Sequence, residues 1–326
     1  MIRFTWLRFR AQAAVVAGAI ALLAVAAAGL LHRDDSTARL WLGVLVDVAP
    51  GLIGMFWGAP LVAREFEDGT FRLAWTQSVT RRHWMAVKLA VGGLASMAAA
   101  GLLSLVVTWW AGPLDHAALN QFATFDQRDI APVGYAAFAF TLGVLAGALI
   151  RRTLPAMFVT LAVFVAVRLA EFTWLRPRLL HPVLLNLALN PGSTGYGQGG
   201  SLLPVAFSSP TLEPNPPDLP NTWITSTRIV NAHGEGLTTH VLDSACPGIN
   251  RGRGGGGGGL GGHTKAPQAV VNTLQDCVAK IGTTYHQALA YQPASHYWPL
   301  QWYELAIFLG AALVLAAACL RRIRRA

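Results

Sequence analysis

Six apolar runs decide what this chain can fold into: Ala11–Leu31, Leu40–Val62, Ala86–Ala111, Val133–Ile150, Leu154–Ala170 and Leu300–Leu320. A helix needs about 20 such residues to cross a hydrocarbon core of about 30 Å. Ala11–Leu31 has 21 residues and no charge. Composition agrees, with 53% of residues hydrophobic and 13% charged, against about 25% charged in soluble domains. The first run could be read as a signal peptide, with Ala26-Ala27-Ala28 as a cleavage site. It is longer than a signal core and more runs follow, so it is read as a span. The expected fold is therefore an all-α membrane protein with six transmembrane helices. Pro50-Gly51 marks a bend in the second span, and Pro155 sits in the first turn of the fifth, where a missing amide costs little.

Basic residues orient the spans. With the N-terminus inside, the cytoplasmic segments hold Arg3, Arg8, Arg10, Arg64, Arg72, Arg81, Arg82, Lys88, Arg151, Arg152, Arg321, Arg322, Arg324 and Arg325, 14 bases. The two short outside loops hold three, Arg33, Arg39 and Arg128. This asymmetry places both termini in the cytoplasm of a multi-pass protein of the cell (plasma) membrane. The net charge of +9 comes from bases at the ends of apolar runs rather than from one patch, so lipid, and not nucleic acid, is the expected partner. Three divisions follow: 1–171 with five helices and a cytoplasmic segment at 63–88, an extracytoplasmic domain at 172–299, and 300–326 with the sixth helix and a basic tail.

Between the second and third runs lies Arg64–Lys88, REFEDGTFRLAWTQSVTRRHWMAVK. It holds five of the 25 bases and three of the 16 acids, Glu65, Glu67 and Asp68. Phe71, Ala74 and Trp75 fall at i, i+3, i+4, one apolar face of a short helix suited to a groove in a soluble partner. Gly69 permits the turn ahead of that helix. Arg81, Arg82 and Lys88 stand where the next span begins, in reach of lipid phosphates.

The long outside segment shows little regular period. Thr222–Val230 is rich in β-branched residues and reads as a strand. Val270, Val271, Leu274, Val278 and Ile281 recur at helical spacing, so Ala269–Leu289 reads as a helix. The glycine run 252–262 is a flexible linker by composition. Cys246 and Cys277 flank it and would pair in an oxidising exterior. The outside histidines, His181, His233, His240, His263, His286 and His296, make no HExxH pattern, and no metal is expected. The sequence lacks G-x-S-x-G and G-x-x-x-x-G-K-[ST], the second being the loop that cradles nucleotide phosphates. No catalytic residue and no cofactor is therefore expected of the chain itself. Charges at membrane depth are Asp47, Arg168, Glu171 and Glu304. Arg168 and Glu171 are three apart and can meet on one helix face. All four are candidate pathway or interface charges: Asp47 or Glu304 would touch a translocation path, the outer interface near water is the expected place for Glu171 and Glu304, and Asp47 suits either.

The run Glu65-x-Glu67-x-Gly69-Thr70, then Trp75-Thr76-Gln77-Ser78-Val79-Thr80-Arg81-Arg82, then Lys88, resembles the permease subunits of type 2 ATP-binding-cassette (ABC) exporters. Tyr291-Gln292-Pro293 and Trp298-Pro299-Leu300-Gln301-Trp302-Tyr303-Glu304 look like the approach to the last span in high-GC bacterial members. The resemblance implies six spans, an ATPase-coupling role for Glu65, Glu67, Gly69, Thr70, Phe71, Trp75, Arg81, Arg82 and Lys88, and two kinds of partner. These are a cytoplasmic ABC ATPase subunit and a second permease subunit, as a homo- or heterodimer. The alternative is a membrane-anchored enzyme or sensor acting through 172–299.

Overall fold

The computed structural model describes residues 36–69, 80–118, 120–189, 221–238 and 279–325, with a few single positions besides. Apart from Gly18 and Gly29, the run Ala11–Leu31 lies outside the described residues, as do residues 252–262, Cys246 and Cys277. Among the described residues five helical stretches are long and apolar enough to cross a membrane: Gly43–Glu67, Arg82–Gly112, Ala131–Ile150, Thr153–Leu179 and Ala294–Ile323. The helices are α1 (Ser36–Ile53), α2 (Ala59–Glu67), α3 (Arg81–Ala118), α4 (Ala131–Ile150), α5 (Thr153–Ala170), α6 (Arg176–Leu179) and α7 (Tyr297–Arg325). Two π-helical turns break this series, Gly54–Gly58 between α1 and α2 and Glu171–Leu175 between α5 and α6.

The chain divides into two compact units, residues 1–180 with 295–326, and residues 181–294. In the first, α4 is the central helix, packing on α1, α2, α3, α5 and α7. Its sequence, APVGYAAFAFTLGVLAGALI, has no polar face to turn outward, and a helix apolar all round is a buried one. Gly143-x-x-x-Gly147 on α4 meets Gly54-x-x-x-Gly58 of the first π-turn. A Cβ on Gly143 would overlap the Gly54 carbonyl, and one on Gly147 the Ala59 carbonyl. Small residues at this spacing let two backbones touch, which is how helices pack when lipid supplies no hydrophobic drive between them. Pro50 lies inside α1, and the π-turn begins four residues on. There the Ala59 N–H donates to the Gly54 carbonyl, five residues back.

Several apolar clusters fill this unit, two of them large. One joins Trp57, Val62, Trp84, Met85, Phe140, Val144, Cys319 and Ile323 near Glu67. The other joins Tyr135, Phe138, Phe164 and Phe308. A two-residue turn links α4 to α5: Arg151 caps α4 in the left-handed region at φ 57° and Arg152 is extended. The apolar run of the fifth span ends at Ala170, but helical structure continues through the second π-turn to Leu179.

The second unit corrects the all-α expectation. It carries an antiparallel sheet of β1 (Val183–Ala188), β2 (Trp223–Asn231) and β3 (Tyr285–Gln292), in the order β1-β3-β2. Val183 pairs with Tyr291 on one side of β3, and Trp223 with Gln292 on the other. The strand read at Thr222–Val230 is β2, with a bulge between Ile224 and Ser226. The helix read over Ala269–Leu289 does not extend that far. Helix stops at Ile281, where its apolar spacing also stops, and residues from Tyr285 pair in β3. Gln287 and Leu289 alternate into the interior, the period of a strand.

Candidate functional site

The helical unit is polar at its two ends, and the ends are built differently. At the first, α2 closes on Asp68, whose N–H donates to the Arg64 carbonyl at 2.9 Å. Gly69 follows at φ 67°, the left-handed position where a glycine ends a helix without strain. Residues 70–79, with Thr70, Phe71 and Trp75, lie outside the described residues. Thr80 then caps α3, its hydroxyl accepting from the His83 N–H at 3.3 Å. Arg82 is exposed, and Arg81 opens the helix.

Three contacts tie the end of α2 to its neighbours. Glu65 pairs with Lys88 at 2.5 Å. Lys88 also donates to the Leu61 carbonyl at 3.2 Å and lies over the Trp84 ring at 4.1 Å. Lys88 is buried, so it turns inward to α2 and not outward to phosphates as expected. Glu67 accepts from the Thr153 N–H at 3.0 Å and from its hydroxyl, fastening a carboxylate to the first turn of α5. Arg151 sits 5.3 Å from the Phe66 ring. The triplet Glu65-Phe66-Glu67 thus touches α3, the α4–α5 turn and α5.

At the other end a charge layer, buried at Glu171, Arg176 and Glu304 and half-buried at its loop side, joins Asp126 in the 120–130 loop, Arg168 on α5, Glu171 in the π-turn, Arg176 on α6 and Glu304 on α7. Arg176 is its centre, donating to Glu304 at 2.6 Å, to Glu171 at 3.1 Å and to Asp126. Arg168 pairs with Asp126 at 2.6 Å and with Glu171, the pair expected three residues apart. The Tyr135 hydroxyl donates to Glu304. The π-turn makes the geometry. Arg176 donates its own N–H to the Glu171 carbonyl, so residues five apart stand one above the other and their side chains meet. In a regular α-helix that spacing would point them about 140° apart.

Glu171 and Glu304 are 4% and 0% exposed, so they are interior charges and not the water-facing ones expected. Asp126 belongs to the loop, and burial opposes its ionisation. The Arg176 and then the Arg168 guanidinium outweigh that, holding its carboxyl at about 2. Further hydrogen bonds extend the layer. Gln301 donates to the Phe125 carbonyl at 3.0 Å and accepts from the Ala131 N–H at 2.8 Å. Ser104 donates to the Asp129 carbonyl at 2.7 Å, and Arg128 to the Tyr297 hydroxyl at 3.0 Å. Asp47 stands at the edge of this end, accepting from the Gln127 amide at 3.3 Å. Oxygens of Asp126, Glu171 and Glu304 lie within 4.8 Å of one another, a spacing suited to a metal ion. Two guanidiniums already fill that role here.

Asp126, Tyr135, Arg176 and Gln301 were not singled out by sequence reasoning. The Glu171–Arg176 spacing matches no α-helical period, and Asp126 sits in a short loop that looks solvated. The available signal was coarse: Arg168, Glu171 and Glu304 lie near the ends of apolar runs, and Asp126 lies in the loop between two of them.

Residues 25–176 match the family model described as ABC-2 membrane transporter related. That segment is similar to the membrane part of ABC-2 transporters. No curated protein and no solved structure matches the chain. The ABC-2 match covers the whole of Arg64–Lys88 and runs to Arg176. It makes this part of the chain similar to a membrane component of ABC-2 transporters, and the five long apolar helices fit a multi-pass membrane protein.

Proposed function

We propose that the chain is the permease subunit of an ABC exporter, moving a hydrophobic or amphipathic solute out of the cell with ATP hydrolysed by a separate subunit. The ATPase docks on Arg64–Lys88, where Phe71 and Trp75 supply the apolar face. Two permease halves complete the path, and both termini lie in the cytoplasm. The observation that carries this reading is the triplet Glu65-Phe66-Glu67, bonded at once to α3, to the α4–α5 turn and to α5. A push on the docking segment then reaches three spans through short, charge-assisted contacts. Apolar spans and the few charges at their ends fit a lipid-like cargo.

Co-purification in mild detergent tests the reading. A soluble P-loop ATPase is expected with the chain, and Gly69→Val or Glu67→Gln is expected to lower its recovery several-fold. Recovery of the chain alone, active through residues 172–299, would favour a membrane-anchored enzyme or sensor instead.

A further inference from the structure

We propose that the charge layer centred on Arg176 is a releasable latch, which keeps the 120–130 loop shut over the ends of α3, α4, α5 and α7 and opens to water as a unit. Buried ion pairs hold a fold no better than apolar packing of the same volume, because desolvating the charges cancels most of their attraction. The same helices use apolar packing just below, where Phe138, Phe164 and Phe308 meet. A permanent joint had that solution to hand.

What a charge layer offers instead is a small difference between closed and open. When an apolar joint parts, its surface meets water at full cost. When this layer parts, Asp126, Arg168, Glu171, Arg176 and Glu304 each recover hydration, which offsets the broken ion pairs. The loop side is built the same way. Besides Asp126, polar bonds from Ser104, Gln301 and Tyr297 hold it, each able to exchange for water. The π-turn ends at Arg176, so its unusual register is tied to the same residue. Release of Arg176 frees the turn and the loop together.

The purpose, an exit for solute, rests on the permease reading; the latch itself is tested without an ATPase or a substrate. Two near-isosteric reporters lie on α3, S104C under the loop and S96C eight residues deeper, at positions 2% and 0% exposed. Full-length protein in native membranes is treated with a charged methanethiosulfonate reagent, and modification is read peptide by peptide by mass spectrometry. With the latch intact both sites react slowly. R176M is expected to raise the S104C rate at least tenfold and leave S96C unchanged, while R176K stays within threefold of the parent. An S104C rate within twofold of the parent in R176M would overturn the proposal, since the layer would then be a fixed anchor. So would equal acceleration at both sites, since the fold as a whole would then have loosened.

Discussion

The two ends of the helical unit hold charges for different purposes. Near Glu67 the acids are bonded one at a time, Glu65 to Lys88 and Glu67 to Thr153, and Glu67 itself is exposed. Near Glu304 three acids and two bases share one buried layer in which Arg176 touches all three acids. An acid that water can reach is cheap to orphan, because water replaces the partner. A buried layer is not, because each orphaned charge must be rehydrated or neutralised. The first end is suited to passing motion on, the second to holding still until released.

That contrast is sharpest in the response to single substitutions. Arg176→Met leaves Asp126, Glu171 and Glu304 with one guanidinium among them, and is expected to cost about 3–5 kcal/mol. Lys88→Met orphans only Glu65, whose side chain is 23% exposed, and should cost about 1 kcal/mol. Thermal midpoints of the two variants in the same detergent test this. Equal losses would erase the distinction between the ends.

Between the ends, the glycine contact serves both. Gly143→Val drives a side chain into the Gly54 carbonyl, and should cost about 1–3 kcal/mol. Gly112→Ala meets open space and is expected to be neutral within about 0.5 kcal/mol. If the two substitutions behave alike in the same melts, the backbone contact has been misjudged.

Acid should separate the ends next. Asp126 is held at about 2 against an ordinary 3.8. Its stabilisation is therefore present above about pH 4 and lost as pH falls through about 2. The loss amounts to about 2 kcal/mol. Denaturation midpoints taken from pH 5 to pH 2 should fall accordingly, and Asp126→Asn should flatten that fall. The last test is Thr153→Val, which removes one hydroxyl bond to the exposed Glu67 and should leave stability nearly unchanged. Its larger consequence is expected in transmission, as slower ATPase stimulation with the stability nearly unchanged.

The legible part of this fold was its apolar periodicity. Five of the six apolar runs are helices here because runs of that length leave the chain few other solutions. Glu65, Glu67 and Gly69 were legible from charge density and one glycine, but Phe66 between the acids was not. The buried layer was not, since it depends on a π-turn that shifts register by one residue and on a loop folded over helix ends. Neither leaves a period in the sequence. Residues Tyr285–Gln292 show the same limit: YHQALAYQ could extend a helix, and only pairing with β1 and β2 makes it a strand.

The central claim is that Arg64–Lys88 receives an ATPase, and one crosslinking comparison addresses it. A photoreactive residue is placed at Trp75 and, separately, at Phe172, which is exposed at the opposite end. Cells are irradiated and adducts identified by mass spectrometry. The account predicts a P-loop ATPase at Trp75 and none at Phe172. An ATPase captured at neither position, or at Phe172 alone, would contradict it.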